Sequence, residues 1–307
     1  MSGRSILLGI VLASAAASAQ QAPPARRVID VHLHAYTHDE RFGSRITLPT
    51  TGELMVAGRD AADHQAATFA AMKRLNVVKA VVSGGDREAE LRWKQVAPNQ
   101  IIIGYSIGDP TKVDLAHLRR EHTAGRVQVI GEVGAQYEGI PPNDPRMEPL
   151  YSLAEELDVP IALHMHPGPP GAPYPPFSMT KMRADNGHPL LLEDTLVRHP
   201  KLRLYVMHAG WPFLDEIKAL LYEHPQVYVD VGVIAWSQPR PEFYRFLRQL
   251  VEAGYTRRIM FGSDQMVWPD RIEKTVEAIE QADFLTAQQK DDIFYNNAAR
   301  FLRLEPK

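Results

Sequence analysis

Short apolar, β-branched runs recur from residue 28 onward: Val28 to His34, Val77 to Ser83, Ile101 to Ile107, Val127 to Val133, Val159 to His166, Leu202 to His208, Val227 to Val233 and Arg258 to Asp264. Most are near-continuous rather than alternating, the pattern of parallel strands covered on both faces. Between them, Ala61 to Leu75, Met147 to Leu157, Pro212 to Tyr222, Pro241 to Ala253 and Asp270 to Ala282 place apolar residues at three-to-four spacing with charges between. That is the pattern of helices with one buried stripe. Eight alternations of strand and helix predict an α/β fold, a (β/α)8 TIM barrel. A doubly wound open sheet is the alternative, but no Gly-rich phosphate loop follows the first strand.

Strand starts are separated by 49, 24, 26, 32, 43, 25 and 31 residues, so two connections carry extra chain. They follow the first and fifth strands and leave their carboxyl ends, the face on which barrels build active sites, so they are candidate lids and substrate walls. The second contains Pro167, Pro169, Pro170, Pro173, Pro175 and Pro176. Proline pre-sets φ and lowers the entropy lost on ordering, which favours a fixed wall over a mobile flap.

Ahead of the first strand, Arg4 precedes an apolar stretch from Ile6 to Ala17, and Ala17-Ser18-Ala19 supplies small residues at alternate positions. The pattern predicts a cleaved signal peptide over 1–19, a linker over 20–26 and the barrel domain over 27–307. A periplasmic or secreted location follows, with no membrane attachment after cleavage. The chain of 307 residues has 34 Lys plus Arg against 37 Asp plus Glu, and no cysteine. Cysteine nucleophiles and thiolate metal sites are thereby excluded, and no basic patch exists for nucleic acid. The expected partner is a small-molecule substrate; a homo-oligomer stays open.

The chemistry gathers at strand ends. Asp30-Val31-His32-Leu33-His34 closes the first strand, and residues two apart share a face, so His32 and His34 both point into the barrel mouth. His164, His208 and Asp264 close the fifth, sixth and eighth strands, and Glu132 closes the fourth. Closure of the barrel sets the eighth strand beside the first, bringing Asp264 against His32 and His34. Nitrogen and carboxylate donors without thiolate suit a divalent metal: Zn2+ first, then Mn2+, Fe2+ or Ni2+.

These residues resemble the motifs of the amidohydrolase superfamily, metal-dependent hydrolases on a (β/α)8 barrel. The resemblance runs from Val28 to Leu302 and rests on the His-x-His at His32 and His34, on His164, His208, and Asp264 within Phe261-Gly262-Ser263-Asp264. The terminal Ile293-Phe294-Tyr295-Asn296-Asn297-Ala298-Ala299-Arg300-Phe301-Leu302 resembles the closing helix of the amidohydrolase-related branch. That branch includes aminocarboxymuconate-semialdehyde decarboxylase and pyrone-dicarboxylate lactonase. The resemblance implies that His32, His34 and Asp264 hold the principal metal, with His164 completing that site or serving a second ion. It implies that His208, in a one-metal site, orients or deprotonates water rather than ligating. Glu132 stands where many members carry a carboxylated lysine and resembles the bridging glutamate of TatD-type deoxyribonucleases, so one or two ions are open. His166 makes a second His-x-His with His164, and His164 is taken as the ligand because it lies deeper in the strand.

Asp264 would then be the catalytic acid-base with His208 beside it. Arg59, Tyr137, His166, Trp211, Trp236 and Arg240 are candidates for substrate contact. His199-Pro200 and His224-Pro225 precede the sixth and seventh strands and read as turn residues on the opposite face; His38, His64, His117, His122 and His188 read as surface or loop residues. Three functions fit: a metal-dependent hydrolase of an amide, lactone or ester; a metal-dependent decarboxylase of an aromatic or unsaturated acid; and a catalytically idle ligand-binding barrel.

Overall fold

Parallel strands buried on both faces must be flanked by helices, and the chain satisfies this with β1 (Val28–His34), β4 (Val77–Ser83), β5 (Ile101–Ile107), β6 (Val129–Val133), β7 (Ile161–His164), β8 (Leu204–Met207), β9 (Val227–Asp230) and β10 (Ile259–Met260), in that spatial order. A small antiparallel hairpin, β2 (Arg45–Thr47) and β3 (Leu54–Val56), lies in the long connection after β1. These features come from a computed structural model, which describes residues 26–304. The expected signal segment 1–19, and the expected linker apart from Arg26, lie outside the described residues. Among the described residues no helix is long and apolar enough to cross a membrane.

The barrel closes between β10 and β1 by backbone and side-chain hydrogen bonds together. Val31 N donates to Phe261 O at 3.0 Å and Asp264 N donates to His32 O at 2.8 Å. Asp30 Oδ1 accepts from the amides of His32 and Ser263, both at 3.0 Å. Gln265 clasps the end of β1: its Oε1 accepts from His34 N at 3.0 Å and its Nε2 donates to His34 O at 2.7 Å. Side chains thus replace ladder bonds at the seam. This is why the regular part of the eighth barrel strand shrinks to Ile259–Met260, against the expected span of 258–264.

The first three barrel strands match their expected limits, and the five helices expected from periodicity form within two residues of their predicted ends. Inside the barrel, Ile29, Val31, Val81, Ile102, Val129, Ala162, Tyr205, Met207 and Met260 form the inner core, joined by Ala298 and Phe301. The terminal helix that supplies those two, Asn297–Phe301, is anchored by Asn297 Nδ2, which donates to Thr256 O and Ile259 O at 2.7 Å each.

One expectation is corrected here. His64, expected on a surface or loop, lies within the helix Ala61–Arg74 and is fully buried, its ring 5.4 Å from Trp93 and 5.8 Å from Phe42. Burial pushes its imidazole down to about 4, so it packs as a neutral ring.

Candidate metal centre

Strand ends deliver four donor atoms to one place. His32 Nε2 lies 3.5 Å from Asp264 Oδ1 and 3.8 Å from Glu132 Oε2; His34 Nε2 lies 2.9 Å and 3.6 Å from the same two oxygens. Tetrahedral coordination with bonds of about 2.0–2.1 Å separates ligand atoms by roughly 3.3 Å, so this spacing fits a metal. Glu132 also faces the other way, its Oε1 2.6 Å from His164 Nδ1. That nitrogen is in turn 3.1 Å from His208 Nε2 and 3.2 Å from the Tyr137 hydroxyl. One N–H cannot serve three neighbours, whereas a cation among them would satisfy all of them. Buried His32 Nε2, which faces Asp264 and Glu132, has no hydrogen-bond partner, which a site built only for internal hydrogen bonding would not leave.

The charges make the same demand. Burial pushes the Glu132 carboxyl up, but the hydrogen bond from His164 and the nearby His32 imidazole overcome it and hold Glu132 well below the usual carboxylate range. Burial likewise raises Asp264, while the charge of His32 and the hydrogen bond from His34 bring it well below that range. Burial opposes a charge on His32, yet Asp264 and Asp230 raise its pKa well above the ordinary imidazole value. The buried Asp264 carboxylate and the largely covered Glu132 carboxylate therefore require a positive centre, which protonated His32 or a bound cation provides. His208 differs: burial, then His164 and His32, push it down to about 4, so it is neutral at pH 7. Its Nδ1 is 3.0 Å from Gly232 O, a group that only accepts, so Nδ1 carries the hydrogen and Nε2 keeps its lone pair.

The backbone is shaped to present these groups. His208 and Asp264 hold φ of 60° and 49°, left-handed values uncommon outside glycine. Asp230, at the end of β9, supports the arrangement: Oδ1 accepts from His208 N at 3.0 Å and Gly232 N at 2.8 Å, and Oδ2 lies 3.2 Å from His32 Nδ1. Glycine is required at 232 because a Cβ there would lie 2.7 Å from His32 Nδ1.

All the expected metal-centre residues (His32, His34, Glu132, His164, His208 and Asp264) converge. Of the residues expected to touch substrate, Tyr137 sits against His164, ring centroids 4.5 Å apart, and His166 lies 5.2 Å from the His208 ring and stacks on Trp211 at 5.4 Å. The other three are placed elsewhere. Trp236 is buried and donates from Nε1 to Ser263 O at 2.8 Å, bracing the segment that carries Asp264. With Arg240 it lines a separate cavity of about 350 Å³ beside Thr50, Gln238 and Lys274. Arg59 is 83% exposed and engaged with Asp63 at 2.7 Å, on the outer surface of its loop.

Asp230, Gln265, Tyr36 and Arg41 escaped the sequence reading. For Asp230 a signal existed: a lone acid inside the apolar run Val227-Tyr228-Val229-Asp230-Val231. Tyr36 stacks on His34 at 5.9 Å and 8° between planes, and the Arg41 guanidinium lies 5.7 Å from the Tyr36 ring and 5.4 Å from the Trp268 ring. Arg41 is paired with Asp39 through Nε at 2.8 Å and Nη2 at 2.6 Å. Nothing in the local sequence distinguishes it from Arg59.

A family model described as amidohydrolase matches residues 29–304. The fold is similar to that of an uncharacterised TIM-barrel protein from Bordetella bronchiseptica, with TM-score 0.66 and 17% identity over 90% of this chain and 98% of that one. It is also similar to 5-carboxyvanillate decarboxylase from Sphingomonas paucimobilis, with TM-score 0.60 and 14% identity over 90% of this chain and 99% of that one. Among curated proteins, fluG of Emericella nidulans is 23% identical over 132 residues, which is 38% of this chain and only 15% of fluG.

Proposed function

The chain belongs to the amidohydrolase family, and on that premise we propose that it is an exported metal-dependent hydrolase of a small molecule, cleaving an amide, lactone or ester bond. The observation that carries this reading is the approach of the Asp264 and Glu132 oxygens to within 3.8 Å of Nε2 on both His32 and His34. Export rests on the apolar stretch Ile6 to Ala17 and the small residues Ala17-Ser18-Ala19.

His32, His34 and Asp264 would hold the metal, with Zn2+ the best match to a nitrogen and oxygen donor set. Bound there, the ion would polarise a substrate carbonyl and lower the pKa of water from about 15.7 toward about 7. Glu132, facing His34 with one oxygen and His164 with the other, is the natural bridge if a second ion is held at His164. Asp264 accepts the proton of the attacking water and returns it to the leaving group. His208 Nε2, held as an acceptor by the Gly232 carbonyl, takes a hydrogen bond from that water. The Tyr137 phenol, kept protonated by burial and by Glu132, donates to a substrate oxygen. The stacked His166 and Trp211 rings make a flat wall for the substrate body.

A second reading, decarboxylation of an aromatic or unsaturated acid, is favoured by one feature: Arg41, a cation beside the Trp268 ring and the Tyr36 ring that stacks on His34, suits a carboxylate attached to a ring. The test is a panel of lactones, esters, amides and aromatic acids on metal-analysed protein, scored for acid release and for carbon dioxide. Water-consuming cleavage that disappears with the metal supports the hydrolase. Carbon dioxide release without hydrolysis transfers the assignment to the decarboxylase, and protein that takes up no metal overturns both.

A further inference from the structure

A separate group of metal-type donors lies away from this centre. Glu193, Glu223 and His224 each offer one ligand atom, all within 4.8 Å of one another. Glu193 opens the helix Glu193–Arg198, Glu223 ends the helix Leu214–Glu223, and His224 caps that end just before β9. His224 therefore stands at the amino ends of the barrel strands, opposite the cluster built at their carboxyl ends.

Three features distinguish this group from a solvated acidic patch. His224 is only 7% exposed, and its Nε2 is buried without a hydrogen-bond partner. Its backbone is held rigidly, the amide donating to Leu220 O at 3.0 Å and the carbonyl accepting from Arg258 Nη1 at 3.1 Å, so the ring is presented from a fixed point. Two glutamates approach each other here with no lysine or arginine paired to either among the described residues, an arrangement of like charges that a cation relieves.

We propose that Glu193, Glu223 and His224 form a structural site for a divalent transition metal, with water completing the coordination. One imidazole and two carboxylates without thiolate suit Zn2+, and Ni2+ or Mn2+ less well. Because the donors come from two helices, the bound ion clamps the start of one to the end of the other, and its effect falls on stability rather than on turnover. The site shares no residue with the catalytic cluster, so it stands or falls independently of the function proposed above.

The experiment is equilibrium dialysis of the metal-loaded protein against Zn2+, followed by elemental analysis and thermal melting. Glu193→Gln and Glu223→Gln are surface substitutions that leave the buried core untouched, and each is expected to hold one zinc per chain fewer than the unaltered protein. His32→Ala, which disrupts the catalytic cluster, is expected to keep that zinc. Added Zn2+ should raise the melting temperature of His32→Ala and lose that effect when Glu223→Gln is combined with it. Equal zinc content in the unaltered protein and both glutamine variants overturns the site, whatever the catalytic centre holds.

Discussion

Asp230 Oδ2 lies 3.2 Å from His32 Nδ1, and this contact between residues 198 positions apart directs His32 Nε2 toward Asp264 and Glu132. A carboxylate behind a ligating imidazole fixes its tautomer and raises its basicity. Replacing Asp230 with Asn should therefore weaken metal binding by about 10–100-fold while leaving the ligands themselves in place. Competition against a chromogenic chelator measures this, and unchanged affinity would reduce Asp230 to a backbone clasp.

In the proposed mechanism Asp264 couples the metal centre to proton transfer: Oδ1 faces His34 Nε2 at 2.9 Å while Oδ2 lies 3.9 Å from His208 Nδ1. Asp264→Asn should abolish turnover with circular dichroism unchanged, because the backbone bond from Asp264 N to His32 O does not involve the side chain. Near-normal turnover by this variant is incompatible with the proposed mechanism.

His208 is expected to act without being essential for the first ion. His208→Gln should lower kcat by about 10²–10⁴-fold, the usual loss when a positioned base is removed, with metal content unchanged. A drop of one metal per chain would instead make His208 a ligand of a second ion beside Glu132 and His164, a group whose donor atoms lie within 4.8 Å of one another.

Space around His32 is limited by Gly232. In Gly232→Ala the new methyl would lie 2.7 Å from His32 Nδ1 and 3.1 Å from Asp230 Oδ1, and overpacking of this kind costs about 1–3 kcal/mol. Gly108→Ala, where a Cβ meets nothing within 4 Å, is the control. Melting temperature and metal content should both fall in the first variant and stay level in the second.

His199 provides a pH test away from the metal. Nδ1 is 3.0 Å from Glu155 Oε2 and Nε2 is 2.8 Å from Glu148 Oε1, so both nitrogens donate only when the ring is protonated. Burial disfavours that charge, but the hydrogen bonds to Glu155 and Glu148 win and raise the His199 pKa. Unfolded histidine titrates near about 6.5, so this stabilisation is complete below that pH and is lost as pH rises through the higher folded value. His199→Gln should flatten the decline in melting temperature above about pH 6.5. An identical decline in both proteins would show that another group is responsible.

The barrel was legible because its cause is local. Runs such as Val77 to Ser83 and Ile101 to Ile107 are apolar on both faces, and their limits in the fold are those their own residues predict. The cluster at the strand ends was legible for a related reason: period-two geometry puts His32 and His34 on one face, and barrel closure then decides where Asp264 must go. The expected substrate arginines were read less well, since Arg59 carries no local sign that Asp63 engages it or that Arg41 lies by the aromatic rings near His34.

By itself, then, the sequence determined the architecture, the two enlarged loops and the placing of His32, His34, Glu132, His164, His208 and Asp264 at or just beyond the carboxyl ends of strands, consequences of periodicity along each segment and of barrel closure. Only the tertiary structure decided that Asp230 orients His32, that Gln265 replaces ladder bonds at the barrel seam, and that Glu132 faces His34 with one oxygen and His164 with the other. Such pairings join residues far apart in the chain, and hydrogen-bond direction depends on where whole strands sit, which no local pattern of polar and apolar residues encodes.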